Sequence, residues 1–496
     1  MWSMHSSQLG GRLTILEFLP ESGKRLWRLD PFGTAMEIVD VVASQTNLFE
    51  PRGTDRYSFY EPLRGSDCFE TIGNYLFFER RLDEPAALDL LRTDGAISAT
   101  EPILQDLPPR EGPCGHRGDR LLYVWGADLP GNDSALIGVD SVTGGTETLL
   151  SSGVVLTSKP PFFAFGDQVV FGSGTGLFTT DATTAGTTLL AAEVGGYGAR
   201  LEGFQGEVAV AEGALWITDP DESSGARLLL SNDDGHRYVA PELAALGPSL
   251  VFLVWDEPHG GELWTSDGTA EGTGLLVDAV PGPDSLFPGV SVDRYVEYDD
   301  AELVGADTFA VLAGETAPAG EELWVTDGTA LGTGLLKDIY PGDYPSTPRQ
   351  LTRLGNLIIF SAEDDEHGLE LWVTDGTYPG TALLKDVAPG LASSIPDDLV
   401  VRDGVLYFSA WSPSYGREAW QSDGTTAGTV RISDVAPGPL SSSPQRFARA
   451  GNRLYFSATD QVHGYELWAI SDDGTIPLFL DGFESSDTSR WSEAIP

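Results

Sequence analysis

The chain has 496 residues, 41% of them hydrophobic, which is enough to bury a core and excludes wholesale disorder. With 75 Asp+Glu against 29 Lys+Arg the formal charge is −46, which argues against nucleic acid and anionic lipid as partners. Gly (59) and Pro (32) favour turns over long helices, and the longest apolar runs, at 250–255 and 357–360, fall far short of a membrane span of roughly 18 residues, so no membrane insertion is expected.

The first ten residues, MWSMHSSQLG, carry neither a charged start nor an apolar stretch, so no signal peptide is visible. A skeleton then recurs along the chain. It first appears as Leu26-Trp27-Arg28-Leu29-Asp30 and returns around Leu91, Ile137 and Phe178, and as Leu215-Trp216-Ile217-Thr218-Asp219. Its full form is Glu322-Leu323-Trp324-Val325-Thr326-Asp327-Gly328-Thr329, repeated letter for letter at 370–377, again at 262–269 and 418–425, and in weaker form at 466–472. The tryptophans at 324, 372, 420 and 468 give a period of 372 − 324 = 48 residues. The ten anchors are Trp27, Leu91, Ile137, Phe178, Trp216, Trp264, Trp324, Trp372, Trp420 and Trp468.

The unit at 348–389 shows the internal plan. A short segment A precedes Gly355-Asn356. Segment B, Leu357-Ile358-Ile359-Phe360-Ser361-Ala362, is apolar and partly β-branched. A polar turn leads to segment C at 369–374, and Asp375-Gly376-Thr377 turns the chain into segment D at 381–387. Gly-Asn and Asp-Gly pairs accept positive φ and favour tight hairpins, whereas the Pro-rich link after D disfavours ladder pairing. Three tight links and one long one in about 48 residues predict an all-β fold of β-propeller type, with about ten four-stranded units over residues 1–480 and a tail at 481–496. The units form one large ring or two smaller rings; a β-solenoid is the competing architecture. Unit one is expected to start at segment B with no A, as a truncated chain or misplaced start would give, and unit ten to be complete through 476–480. Insertions are expected at 45–66 and 293–318.

These residues resemble the bacterial ELWxxDGT repeat proteins, strongly over about 250–470 and faintly before that. The resemblance implies an exported or surface-exposed protein of bacterial origin, with no catalytic activity attached to the repeat. The tail 481–492 is similar to a short C-terminal signature of exported bacterial proteins.

The repeated residues each allow a chemical and a structural role. The tryptophans at 264, 324, 372, 420 and 468 could be sugar-stacking platforms, or residues packed between adjacent sheets. Asp267, Asp327, Asp375 and Asp423 could bind calcium, but they lack the close alternating spacing that gathers six or more oxygens, and capping of their own turns explains the Asp-Gly-Thr triplet. His259, His367 and His463 precede Gly in the B–C turn. A metal ring there conflicts with bonds of about 2.0 Å, which equivalent turns on successive units cannot share. Asp278, Asp338, Asp386 and Asp434 close segment D and read as solvated strand ends. No catalytic, metal or cofactor site is expected. Cys68 and Cys114 enter near-equivalent inner strands and could pair in an oxidising compartment.

Two functions remain open. One is a non-enzymatic exported binding or adhesion scaffold for an unknown protein or carbohydrate ligand, with Arg56, Tyr57, Tyr60, Arg294, Tyr295 and Tyr298 in the irregular stretches as binding candidates. The other is a propeller-fold hydrolase or lyase acting on polysaccharide, which would need a non-repeated cluster of acid and base groups.

Overall fold

Each repeat folds as one antiparallel sheet, strand after strand in chain order. The computed structural model describes residues 5–471 except 10–11, 20–22, 30–34, 41–68, 73–74, 83–86, 94–100, 108–113, 126–134, 152–161, 174–175, 193, 195–199, 213, 220–225, 233–235, 288–301, 318, 451–452 and 462–464. Among the described residues there are nine four-stranded sheets and one of three strands. The only helical element among them is a single 3-10 turn at Ala330–Gly332. This up-and-down meander is the unit from which β-propellers are built.

Sheet eight shows why the sequence takes this form. Its strands A (Arg349–Leu354), B (Leu357–Asp364), C (Gly368–Thr374) and D (Ala382–Lys385) match the four segments read from the sequence. Strand B is apolar on both faces because both faces are covered: Ile358, Ile359, Phe360 and Ala362 are all fully buried. Phe360 pairs with Trp372 across the B–C ladder. On the other side of strand C the register against D shifts between Leu371 and Trp372, a β-bulge. The same shift precedes the anchor residue at Trp27, Leu91, Ile137, Phe178, Trp216, Trp264 and Trp324. The backbone irregularity therefore persists in units that have lost the tryptophan.

The alternation of the pleat divides the work of strand C between two faces, while the extra residue of the bulge lies on strand D. Trp324 packs with Val251, Leu253 and Leu263 of sheet six, while its neighbour Leu323 joins Trp372, Ile358 and Phe360 on the side of sheet eight. Trp420 likewise sits with Ile359 and Leu371 of sheet eight, and Trp264 with Ala209, Leu215 and Ile217 of sheet five. Trp264, Trp324, Trp372, Trp420 and Trp468 are each a wedge driven toward the preceding sheet. In the earlier part of the chain Phe178 fills the same place against Leu122, Val124 and Leu136.

The chain divides into two compact units, one formed essentially by residues 1–198 and the other by 199–448 with 454–485. In the first, strand A of sheet one (His5–Leu9) lies beside strand A of sheet two (Phe69–Ile72), which lies beside strand A of sheet three (Cys114–Arg117). In the second, the A strands of sheets five to nine follow one another in the same way. Inner strands thus lie side by side, as blades arranged about an axis require. Cys114 opens one of these inner strands, while Cys68 lies outside the described residues.

Two sequence expectations are corrected. Unit one has a segment A: His5–Leu9 pairs with Arg12–Leu19. Its polar sequence, HSSQL, hid the strand, although Gly10-Gly11 is favoured hairpin chemistry. The proposed insertion at 293–318 is smaller than expected, because Leu303–Gly305 and Ala310–Thr316 are strands A and B of sheet seven. The remainder of that stretch, the expected insertion at 45–66, segment D of unit ten and the tail lie wholly or largely outside the described residues.

The wedge makes a quantitative prediction. Replacing Trp372 by Ala should destabilise the chain by about 3–5 kcal/mol through lost burial and the cavity left between sheets. Urea unfolding monitored by far-ultraviolet dichroism measures it, and a loss below about 1 kcal/mol would contradict the packing role.

Candidate functional site

The polar residues of the repeat divide between the two ends of the sheet. At one end strand C turns into D. There Asp327 Oδ1 accepts the Thr329 N–H at 2.9 Å and the Thr329 hydroxyl at 2.6 Å. Thr329 Oγ1 in turn accepts the Gly332 N–H, the Thr333 hydroxyl donates to the Thr329 carbonyl, and Thr326 Oγ1 accepts the Gly328 N–H. The same bonds recur around Asp267, Asp375 and Asp423. They also recur around Asp181, where Ala182 adopts φ 68 in place of the glycine. Bonds from threonine hold the carboxyls of Asp267, Asp327 and Asp423 below the usual carboxylate range. A Cβ on Gly332 would lie 2.1 Å from the Asp327 carboxylate, so the second glycine of the motif is required by the fold of the aspartate onto its own loop. These aspartates are turn residues.

At the other end a buried carboxylate organises the passage from D to the next sheet. Glu322 has no exposed surface. Its oxygens accept the N–H groups of Ile339 (2.8 Å), Tyr340 (3.2 Å) and Ser346 (3.1 Å) and the Ser346 hydroxyl (2.6 Å). Glu370 receives the same four bonds from Val387, Ala388 and Ser394. Glu418 receives Val435, Ala436 and the Ser433 hydroxyl. Glu262 receives Ala279 and Val280, but the position of the serine is Leu286, which has no hydroxyl to offer. Burial raises all four carboxyls, and Glu262, with the poorest compensation, is pushed up to about 7. The sequence reading placed this glutamate beside the tryptophan but missed its role; its signal was a serine, 24 residues later, recurring as Ser346, Ser394 and Ser442.

The histidines are local. His367 Nδ1 lies 2.9 Å from Asp364 Oδ2, its own N–H donates to Asp364 Oδ1, and Asp364 raises the imidazole. His259 makes the same pair with Asp256. His463 lies outside the described residues. Among the described residues no three His, Cys, Asp or Glu side chains are grouped to hold a metal ion. Asp278 and Asp338 are exposed strand ends, whereas Asp386 and Asp434 are half-buried, the latter 3.5 Å from Arg431.

The tryptophans are buried wedges, so they present no open ring face to a sugar. The candidates Arg56, Tyr57, Tyr60, Arg294, Tyr295 and Tyr298 lie outside the described residues. Sequence reasoning missed a different group, in the crossover from sheet seven to sheet eight. Tyr340 and Tyr344 form a tilted pair there, with ring centroids 5.4 Å apart and 38° between planes. Arg349 binds both oxygens of Glu321 at 3.0 Å. At the matching positions the repeat has Val280, Ala388 and Ala436 for Tyr340, and Asp284, Ala392 and Leu440 for Tyr344. It has Gly261, Leu369 and Arg417 for Glu321, and Asp397 and Gln445 for Arg349. Departure from the period was the signal.

No protein-family model and no curated protein sequence matches the chain. Solved structures do. The computationally designed Ika8 protein matches with TM-score 0.37 and 15% identity, over 72% of this chain and 95% of that one. A eukaryotic initiation factor matches with TM-score 0.46 and 8% identity, over 79% and 93%. A prolyl endopeptidase matches with TM-score 0.36 and 11% identity, covering 82% of this chain but only 55% of that one. At these scores the likeness assigns no activity.

Two outcomes test the glutamate clasp. Replacing Glu370 by Ala strands buried N–H groups and should destabilise by about 3 kcal/mol, against about 1 kcal/mol for Asp375→Ala in an exposed turn; paired denaturant titrations measure the contrast. The raised carboxyl of Glu262 also fixes a pH effect. Between its ordinary value of 4.5 and about 7 the folded chain binds this proton more tightly than the unfolded chain, so its contribution to stability is full below that window and is lost as pH rises through it. Unfolding midpoints of wild type and Glu262→Gln should therefore lie closest near pH 4, where both side chains are neutral, and separate toward pH 8 as the wild type alone loses stability; parallel curves would exclude the effect.

Proposed function

We propose that the protein is a non-catalytic binding scaffold of β-propeller type, exported or surface-exposed, of the kind found in the bacterial ELWxxDGT repeat proteins. One observation carries this: the residues that define the repeat are occupied in holding it. Glutamate clasps the crossover, tryptophan wedges the sheets, and aspartate, threonine and glycine close the turn. Their engagement within their own units supports a structural role for the repeated residues over acid–base chemistry or ion binding. Recognition of a protein or carbohydrate then falls to residues outside the repeat pattern. These include Tyr340 and Tyr344, and the irregular stretches at 55–61 and 293–302, which hold Arg56, Tyr57, Tyr60, Arg294, Tyr295 and Tyr298.

The test separates binding from turnover. The purified chain is incubated with neutral and acidic polysaccharides and with casein, and reducing ends, unsaturated uronates and free peptides are followed over a day. The expected result is no product, with retention on at least one immobilised polysaccharide or protein. Turnover that survives repurification and disappears on replacing a single carboxylate would overturn the proposal.

A further inference from the structure

We propose that the crossover between sheets seven and eight, residues 338–349, is a binding site for a neutral saccharide, with Tyr344 and Tyr340 as the stacking surface. The inference rests on the scaffold function above and names its ligand class.

Four departures from the repeat meet at this one crossover. Tyr344 is 66% exposed, between exposed Asp343 and Pro345, and Tyr340 lies against it. The equivalents of Tyr340, Ala388 and Ala436, are fully buried, whereas the larger Tyr340 ring follows them inward only in part and is half-buried. The loop that carries both rings is not free to collapse. Its backbone is fixed at Ile339, Tyr340 and Ser346 by the Glu322 carboxylate, and the Ser346 N–H also donates to the Glu321 carbonyl. Aromatic faces held in the open by a rigid backbone lose little freedom on binding, which is what a stacking platform needs.

The polar groups select the ligand class. Arg349 stands at the end of the loop, with its guanidinium turned onto Glu321 through two bonds and onto the Pro348 carbonyl by a third. Its charge is neutralised, so it does not recruit an anion. Asp338 and Asp343 are exposed on the same loop and repel one. What remains is an apolar ring surface beside planar hydrogen-bonding edges, complementary to the C–H face and hydroxyls of an uncharged sugar. Tyr378 provides the contrast. It is 65% exposed, yet the Lys337 ammonium lies over its ring at 5.2 Å, and it stands beside the C–D turn at the opposite end of the sheet.

Affinity electrophoresis of the full chain in gels containing hydroxyethylcellulose, galactomannan, xyloglucan or alginate tests this. At least one neutral polymer should retard the wild type. Tyr344→Ala should weaken that retardation at least about tenfold, as loss of a stacked ring of about 1.4 kcal/mol implies. Tyr344→Phe should keep it within a few-fold, and Tyr378→Ala should leave it unchanged. The site is refuted if no neutral polymer binds, if alginate binds better, if Tyr378→Ala weakens binding as much, or if a proline-rich peptide binds through Tyr344 instead. Retardation that survives Tyr344→Ala refutes this site but leaves the scaffold function standing, whereas depolymerisation of the gel polymer refutes the scaffold function itself.

Discussion

A glutamate with no exposed surface closes each well-kept repeat of the second unit. Glu322, Glu370 and Glu418 lie on strand C yet bond to backbone groups 17 and 18 residues further on, in the link that leaves their own sheet for the next. That link has lost ladder partners, since its Pro-Gly sequence cannot pair as a strand. Buried N–H groups without acceptors would cost about 1–3 kcal/mol each. One carboxylate satisfies two or three of them together. The arrangement exposes the protein to a desolvation cost, which is why these carboxyls are raised, and Glu262, without the serine hydroxyl, most visibly so.

The other repeated features depend on that clasp. Fixing the crossover sets where strand A of the following sheet begins, and so how closely adjacent sheets approach. The tryptophan wedge then fills the gap between them, and the alternation of strand C lets leucine and tryptophan serve opposite faces. At the far end the aspartate–threonine network closes the C–D turn chiefly through bonds inside the loop itself. Lys337 joins the two levels: it ends the clasped unit's strand D, donates to the Thr381 carbonyl and lies over the Trp372 ring of the next sheet.

A repeat that uses its best-kept residues in this way leaves function to its exceptions. The crossover after sheet seven gathers four of them, two tyrosines and an arginine–glutamate pair, on a backbone the clasp has made rigid. The identical clasp after sheet eight presents Ala388 and Ala392 instead. The clasp is thus common to both crossovers, while the paired tyrosine rings belong to one of them alone.

The sequence by itself determined the period, the four strands per unit, the hairpin turns and the burial of both sheet faces, because each is a local matter of spacing and turn chemistry. It showed the aspartates as turn residues for the same reason: their partners lie two residues away. It overlooked strand His5–Leu9, whose residues have little strand character and are held by pairing with Arg12–Leu19. It could not show the partners of Glu322, which are 17 to 24 residues away in an irregular link. Nor could it bring Tyr340 against Tyr344 with Arg349 turned onto Glu321. Those contacts follow from where the crossover lies on the sheet, and that position is fixed only when the backbone N–H groups of the loop find the buried carboxylate.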